Sequence, residues 1–147
     1  MLRLIAAAAV LALAACSSTP EVGSGEGPVP ADFPLLESVW VVHAVRAEPT
    51  SEPRPALRFA ADGTLAGSAG LNRITGEFRT NGSSALSIGP LATTRMAGPP
   101  EQMAAEAALV GALEEVEGFN VRKETVFLLA SGQPILRLSA GTEDDLR

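Results

Sequence analysis

Two Asx-Gly pairs, Asp62-Gly63 and Asn81-Gly82, each sit between short runs in which apolar and polar residues alternate. Asx-Gly supplies the backbone angles of a tight turn, so each pair predicts a β-hairpin. Around them, "PALRFA" sets Leu57 and Phe59 against Arg58, and "RITGEFR" sets Ile74 and Phe78 against polar neighbours. A period of two turns one face of a strand to the core and the other to water. "SVWVVHAV", "TLAGSAG", "ALSIG", "FNVRK", "TVFLLA" and "PILRLS" read as further strands. Short strands at regular spacing, with turn signals between them, predict an antiparallel barrel or sandwich. One stretch breaks the pattern. In "EQMAAEAALVGALEEV", Met103, Ala107, Val110 and Leu113 recur at helical intervals after Pro99-Pro100, a pair that suits a helix start. Glu101, Glu106, Glu114 and Glu115 then read as the solvated side of that helix. The expected fold class is mainly β (α+β), a small antiparallel barrel-like fold with one helix packed against it.

The N-terminus predicts an address rather than a fold. "MLRLIAAAAVLALAAC" has one cation, Arg3, then an apolar run from Leu4 to Ala15. That run is shorter than the ~20 residues a membrane-spanning helix needs and fits a secretory signal peptide. Its end, Leu13-Ala14-Ala15-Cys16, resembles the bacterial lipobox, in which cleavage precedes a cysteine that is then lipidated. Cys16 is the chain's single cysteine, so no internal disulfide can form. Acyl chains contribute about 0.8 kcal/mol per buried CH₂ and would hold the protein on a membrane without spanning it. Ser17, rather than aspartate, follows the cysteine, and the sorting pattern of Gram-negative lipoproteins then implies the outer membrane, with the protein facing the periplasm.

The expected organisation is a signal peptide over 1–15, a lipidated cysteine and tether over 16–34, a globular domain over 35–140 and an acidic tail over 141–147. The tether is rich in Ser, Gly, Pro and acid, so it buries too little to order itself and reaches roughly 20–25 Å. About 105 residues suffice for one core. The chain carries a net charge of −6, its aromatic content is 4%, and tyrosine is absent. These features argue against nucleic acid as a partner. No His or Cys cluster has metal-ligand spacing, and neither a metal nor a cofactor is expected.

Several stretches together resemble one family. They are Trp40 on the first strand, "LRFAADGTLAGSAGLNRITGEF", "LSIGPLATTRMAG", a helix running into "LVGALEEVEGFNV", and a closing "VFLLASGQPILRLS". This combination resembles the META domain, also called the HslJ-like domain, from Val39 to Ser139. The resemblance implies a small antiparallel barrel with a helix against it, often secreted or lipid-anchored, without an established catalytic activity. It also implies links to heat shock, antibiotic tolerance and motility. The family pattern has a pair of cysteines, thought to form a disulfide, where this chain has Leu71 and Gly98. Leu71 is therefore expected to pack against apolar neighbours near Gly98.

The candidate site is the glycine-Asn-Arg corner in "GSAGLNRITGEF" together with "TTRMA". Asn72, Arg73, Thr94 and Arg95 have two readings. In one they pin a structural corner, with Asn72 tolerating a left-handed backbone and Arg73 or Arg95 paired to an acid such as Glu77. In the other they line a surface that grips an anionic ligand. Catalysis has little to draw on. His43, the single histidine, lies in a strand and reads as half-buried. "AGSAG" departs from the nucleophile elbow at Ala66 and lies between strands. "NGS" at Asn81 matches a glycosylation acceptor but reads as a turn. Three functions stay open: an envelope interaction module engaging a protein partner, a small-ligand carrier, and a hydrolase. The first predicts a barrel filled by Trp40, Phe59, Phe78 and Phe127; the second predicts a continuous apolar cavity.

Overall fold

The structure, a computed structural model, describes residues 28–147. The expected signal peptide, Cys16 and the first part of the tether lie outside the described residues. Strands β1 (Val39–Val45), β2 (Glu48–Pro49), β3 (Ala56–Phe59), β4 (Thr64–Ser68), β5 (Arg73–Thr80), β6 (Leu86–Ile88) and β7 (Ala92–Thr93) precede helix α1 (Pro100–Glu114). Strands β8 (Gly118–Arg122), β9 (Thr125–Ala130) and β10 (Gln133–Ala140) follow, and the chain ends in a 3-10 turn, Glu143–Leu146. All strand pairs are antiparallel, in the order β6-β5-β4-β3-β1-β10-β9-β8, with β2 beside β1 and β7 beside β5. The two ends of that order nearly meet. Leu86 N–H donates to the Glu117 carbonyl at 3.2 Å, Phe119 N–H donates to the Ser84 carbonyl at 2.8 Å, and Ala85 bridges Gly118. The result is an almost closed barrel with one helix, the class expected from the alternating runs.

Both Asx-Gly pairs make the turns they predict. Gly63 and Gly82 have φ of +84° and +80°. Asp62 Oδ1 accepts the Thr64 N–H at 2.9 Å. Asn81 Oδ1 accepts the N–H groups of Ser83, Ser84 and Ala85 at 3.1, 3.0 and 2.9 Å, which lets its loop run longer than two residues.

Inside the barrel, alternation decides which aromatics enter. Trp40, Phe59 and Phe78 are buried, as expected. Phe127 is not part of this filling. Val126 and Leu128 point inward on β9, so a period of two sends Phe127 to the outer face, where the Arg122 guanidinium lies 6.0 Å from its ring centroid. Phe119 and Phe33 take the interior positions instead. Phe33 falls within the stretch assigned to the tether, yet it is 2% exposed and its ring lies 5.9, 5.6 and 5.4 Å from those of Phe59, Phe78 and Phe119. Two of these contacts are edge-to-face, the arrangement aromatic quadrupoles favour. Trp40 Nε1 donates to the buried Leu35 carbonyl at 3.0 Å, which satisfies the indole.

The uninterrupted apolar run in β1 has its reason on the outside. Val39 and Val41, with Ala56 of β3, form a second small cluster, and Leu146 of the 3-10 turn packs over it. The acidic tail thus keeps its carboxylates in water while its one leucine ties it back to the barrel.

Helix α1 packs against β1, β6 and β10. Its buried stripe is Glu106, Leu109, Ala112 and Leu113, continued by Val116 just past its end. The face differs from the one expected: Met103 and Ala107 are exposed, and Glu106 points inward. Leu109, Leu113 and Val116 mark the inward face, and Glu106 lies on it with its carboxylate bonded.

Candidate functional site

The corner between β4 and β5 is short. Ala69 N–H donates to the Asn72 carbonyl at 2.7 Å, and Gly70 reverses the chain with φ of +114°. The left-handed residue is therefore Gly70 and not Asn72, because glycine has no Cβ to resist that angle. Turning so sharply leaves the next N–H groups without strand partners. Glu106 supplies them from the helix. Its Oε1 accepts the N–H groups of Leu71 and Asn72, both at 2.6 Å, and its Oε2 accepts Asn72 Nδ2–H at 2.7 Å.

Asn72 is 3% exposed and spends its whole amide on the corner. Its Oδ1 accepts the Thr94 hydroxyl at 2.9 Å and the Met96 N–H at 2.7 Å, and its Nδ2 also donates to the Met96 carbonyl at 3.3 Å. Two donors at Oδ1 and a carboxylate at Nδ2 fix the amide orientation. Thr94 Oγ1 in turn accepts the Arg73 N–H at 3.0 Å, and Thr94 N–H donates to the Arg73 carbonyl at 3.0 Å. One asparagine and one glutamate thus tie three segments together: the corner, the irregular segment after β7 and the helix. Among the described residues no buried side-chain nitrogen or oxygen lacks a partner.

Asn72, Arg73 and Thr94 are brought together by the pairing of β5 with β7. Their polar groups point into the corner or along the surface. Arg73 Nη1 donates to the Leu146 carbonyl at 3.1 Å, and Arg95 is exposed. Among the described residues neither arginine forms an ion pair, so the expected pairing with Glu77 does not occur. The glycine at 98 has a packing reason: a Cβ there would overlap Leu71 Cδ2. Leu71 and Gly98 are in contact, as the family resemblance implied.

Glu106, expected on the solvated side of the helix, is buried and holds the corner. Glu106 stands three and seven residues before Leu109 and Leu113, which puts it on their inward stripe. The spacing signal was present, but the carboxylate makes the residue read as solvated. His43 is half-buried on β1, and its Nε2 lies 2.7 Å from Ser139 Oγ. A base of this kind is oriented by a third group, and among the described residues no carboxylate bonds its ring. Ser68 Oγ accepts the Gly70 N–H at 3.3 Å at a strand-to-strand corner, not at a strand-to-helix elbow. Among the described residues no group of three or more His, Cys, Asp or Glu could hold a metal. Beside the corner, between the β1–β3 connection and α1, lies a surface cleft of about 300 Å³.

An almost closed antiparallel barrel, capped by one helix and tied to it through a buried Glu-Asn corner, defines a class of small β-barrel domains. The META domain family matches residues 34–142, and the chain belongs to that family. No curated protein matches. Among solved structures the chain is similar to a protein from Burkholderia xenovorans solved by NMR, with a TM-score of 0.59 and 20% identity over 97% of this chain and 100% of that one. A second NMR structure has a TM-score of 0.56 at 21% identity, covering 76% of this chain and 95% of that one. A crystal structure of a DUF4847 family protein from Bacteroides vulgatus has a TM-score of 0.51 at 14% identity, covering 73% and 93%. At these identities the likeness concerns the fold.

Proposed function

We propose that the protein is a lipid-anchored, non-catalytic interaction module of the bacterial cell envelope. Cys16 holds it on the outer membrane, facing the periplasm, and its exposed surface engages an envelope protein. The observation that carries the non-catalytic reading is the corner itself. The side chains that most suggested a site, Asn72 and Thr94, are consumed by hydrogen bonds within the fold, so they have nothing left with which to activate a substrate. The filled interior supports the same reading: a ligand carried inside the barrel would need the space that Phe33, Phe59, Phe78 and Phe119 occupy. The anchor rests on "LAAC" and the apolar run before it. A setting in envelope stress or antibiotic tolerance rests on the family resemblance.

The test is fractionation of a bacterium expressing the full chain or its Cys16→Ser variant. The wild type should sediment with outer membranes, with an N-terminal peptide carrying the mass of acyl chains. The variant should lose both properties. Wild-type protein recovered as a soluble, unmodified species would overturn the reading.

A further inference from the structure

The cleft beside the corner is both apolar and charged. Pro53, Leu71, Ala105 and Leu109 are among the residues that line it, together with Glu106. At about 300 Å³ it stands at the small end of the range that takes drug-sized ligands. Its lining is mostly apolar, yet it includes four carboxylates, Glu48, Glu52, Glu101 and Glu106, against one cation, Arg46. That cation is already engaged, because Arg46 Nη2 lies 2.6 Å from Glu115 Oε2. Glu52 pairs with Arg54 at 3.2 Å. Among the described residues Glu48 and Glu101 have no ion-pair partner, whereas Glu106 is spent on three N–H groups of the corner.

An apolar surface beside carboxylates that lack counter-cations favours one chemistry. Coulomb attraction strengthens where water is displaced, so a positive group entering with an apolar body gains from both terms. An anion would meet repulsion, and a neutral apolar molecule would gain from burial alone. We propose that this cleft binds a small amphiphilic cation, with its apolar body against the Pro53, Leu71, Ala105 and Leu109 side chains and its amine beside the exposed Glu101 carboxylate. The inference goes beyond the anchored-module reading and stands without it, since the cleft lies wholly within the barrel domain and does not involve Cys16.

The test is an NMR titration of the full chain with three probes of one shape: 4-phenylbutylamine, 4-phenylbutanol and 4-phenylbutyrate. The amine should move the amide signals of Gly70 and Leu71 and bind about tenfold more tightly than the alcohol, the gain expected of one charge-assisted hydrogen bond. The butyrate should bind weakest. Ala105→Phe, on an exposed position of the helix, should fill the cleft and abolish amine binding. Glu101→Gln, also exposed, should weaken the amine several-fold while leaving the alcohol unchanged, and it provides a readout even if the phenylalanine variant fails to fold. Equal binding of the three probes, shifts confined to another face, or no response to the amine at millimolar concentration would each overturn the proposal.

Discussion

Replacing Glu106 by leucine would preserve the helix and its apolar stripe but strip three N–H groups of their acceptor. Unsatisfied buried donors cost roughly 1–3 kcal/mol each, so Glu106→Leu should lower stability by about 3 kcal/mol or more, read as a fall in the urea midpoint without a change in slope. Because Glu106 and Asn72 act as a unit, their exchange is the sharper probe. Asn72→Asp alone sets two carboxylates against each other at 2.7 Å. Adding Glu106→Gln gives the aspartate a donor again, and the double variant should recover part of the loss, with a coupling of about 1–3 kcal/mol in a double-mutant cycle. Additive effects would mean that the two side chains do not share the bond.

At the scale of elements, the contact between Leu71 and Gly98 joins the β4–β5 corner to the segment entering α1. Since a Cβ at 98 would point directly at the Leu71 side chain, cysteine at both positions should form a disulfide and stabilise the protein by about 2–4 kcal/mol, seen as a higher melting temperature that reductant reverses. The C-terminal 3-10 turn is a second junction. Leu146→Ser would uncover Val39, Val41 and Ala56 and should cost about 1–2 kcal/mol. The turn also has an acid dependence. The Thr142 N–H, then its hydroxyl, holds the Asp145 carboxyl below its usual value of 3.8. A carboxyl depressed on folding contributes its stability above the unfolded value and loses it as pH falls through the folded one. The Thr142 amide signal should therefore move toward its random-coil position as pH drops below about 3.8, and stay fixed between pH 5 and 7.

For the whole molecule, the position of Phe33 matters most. It closes a four-phenylalanine cluster from a segment that precedes every strand. Phe33→Ala should cost about 3–5 kcal/mol, in line with large core truncations. A chain started at Leu35 should melt well below one started at Pro28, as followed by circular dichroism. An equal melting temperature would mean that the barrel closes without this residue.

The order of the strands' signals along the chain determined much by itself. Asp62-Gly63 and Asn81-Gly82 specify turns through local backbone preference, the alternation in "PALRFA" and "RITGEFR" specifies which side of a strand is wet, and Pro99-Pro100 marks where the helix begins. All of these are effects within a few residues. What depended on distance in the chain was decided by the tertiary structure. Phe33 reads as tether until β3, β5 and β8 surround it. Phe127 reads as core until its register on β9 turns it out. Glu106 reads as a surface acid until the corner at Leu71 and Asn72, more than thirty residues earlier, offers it three N–H groups. Leu109 and Leu113 already turn that face of the helix inward; an acid is tolerated on it only because those donors are there, and no local pattern in the helix encodes where they will be.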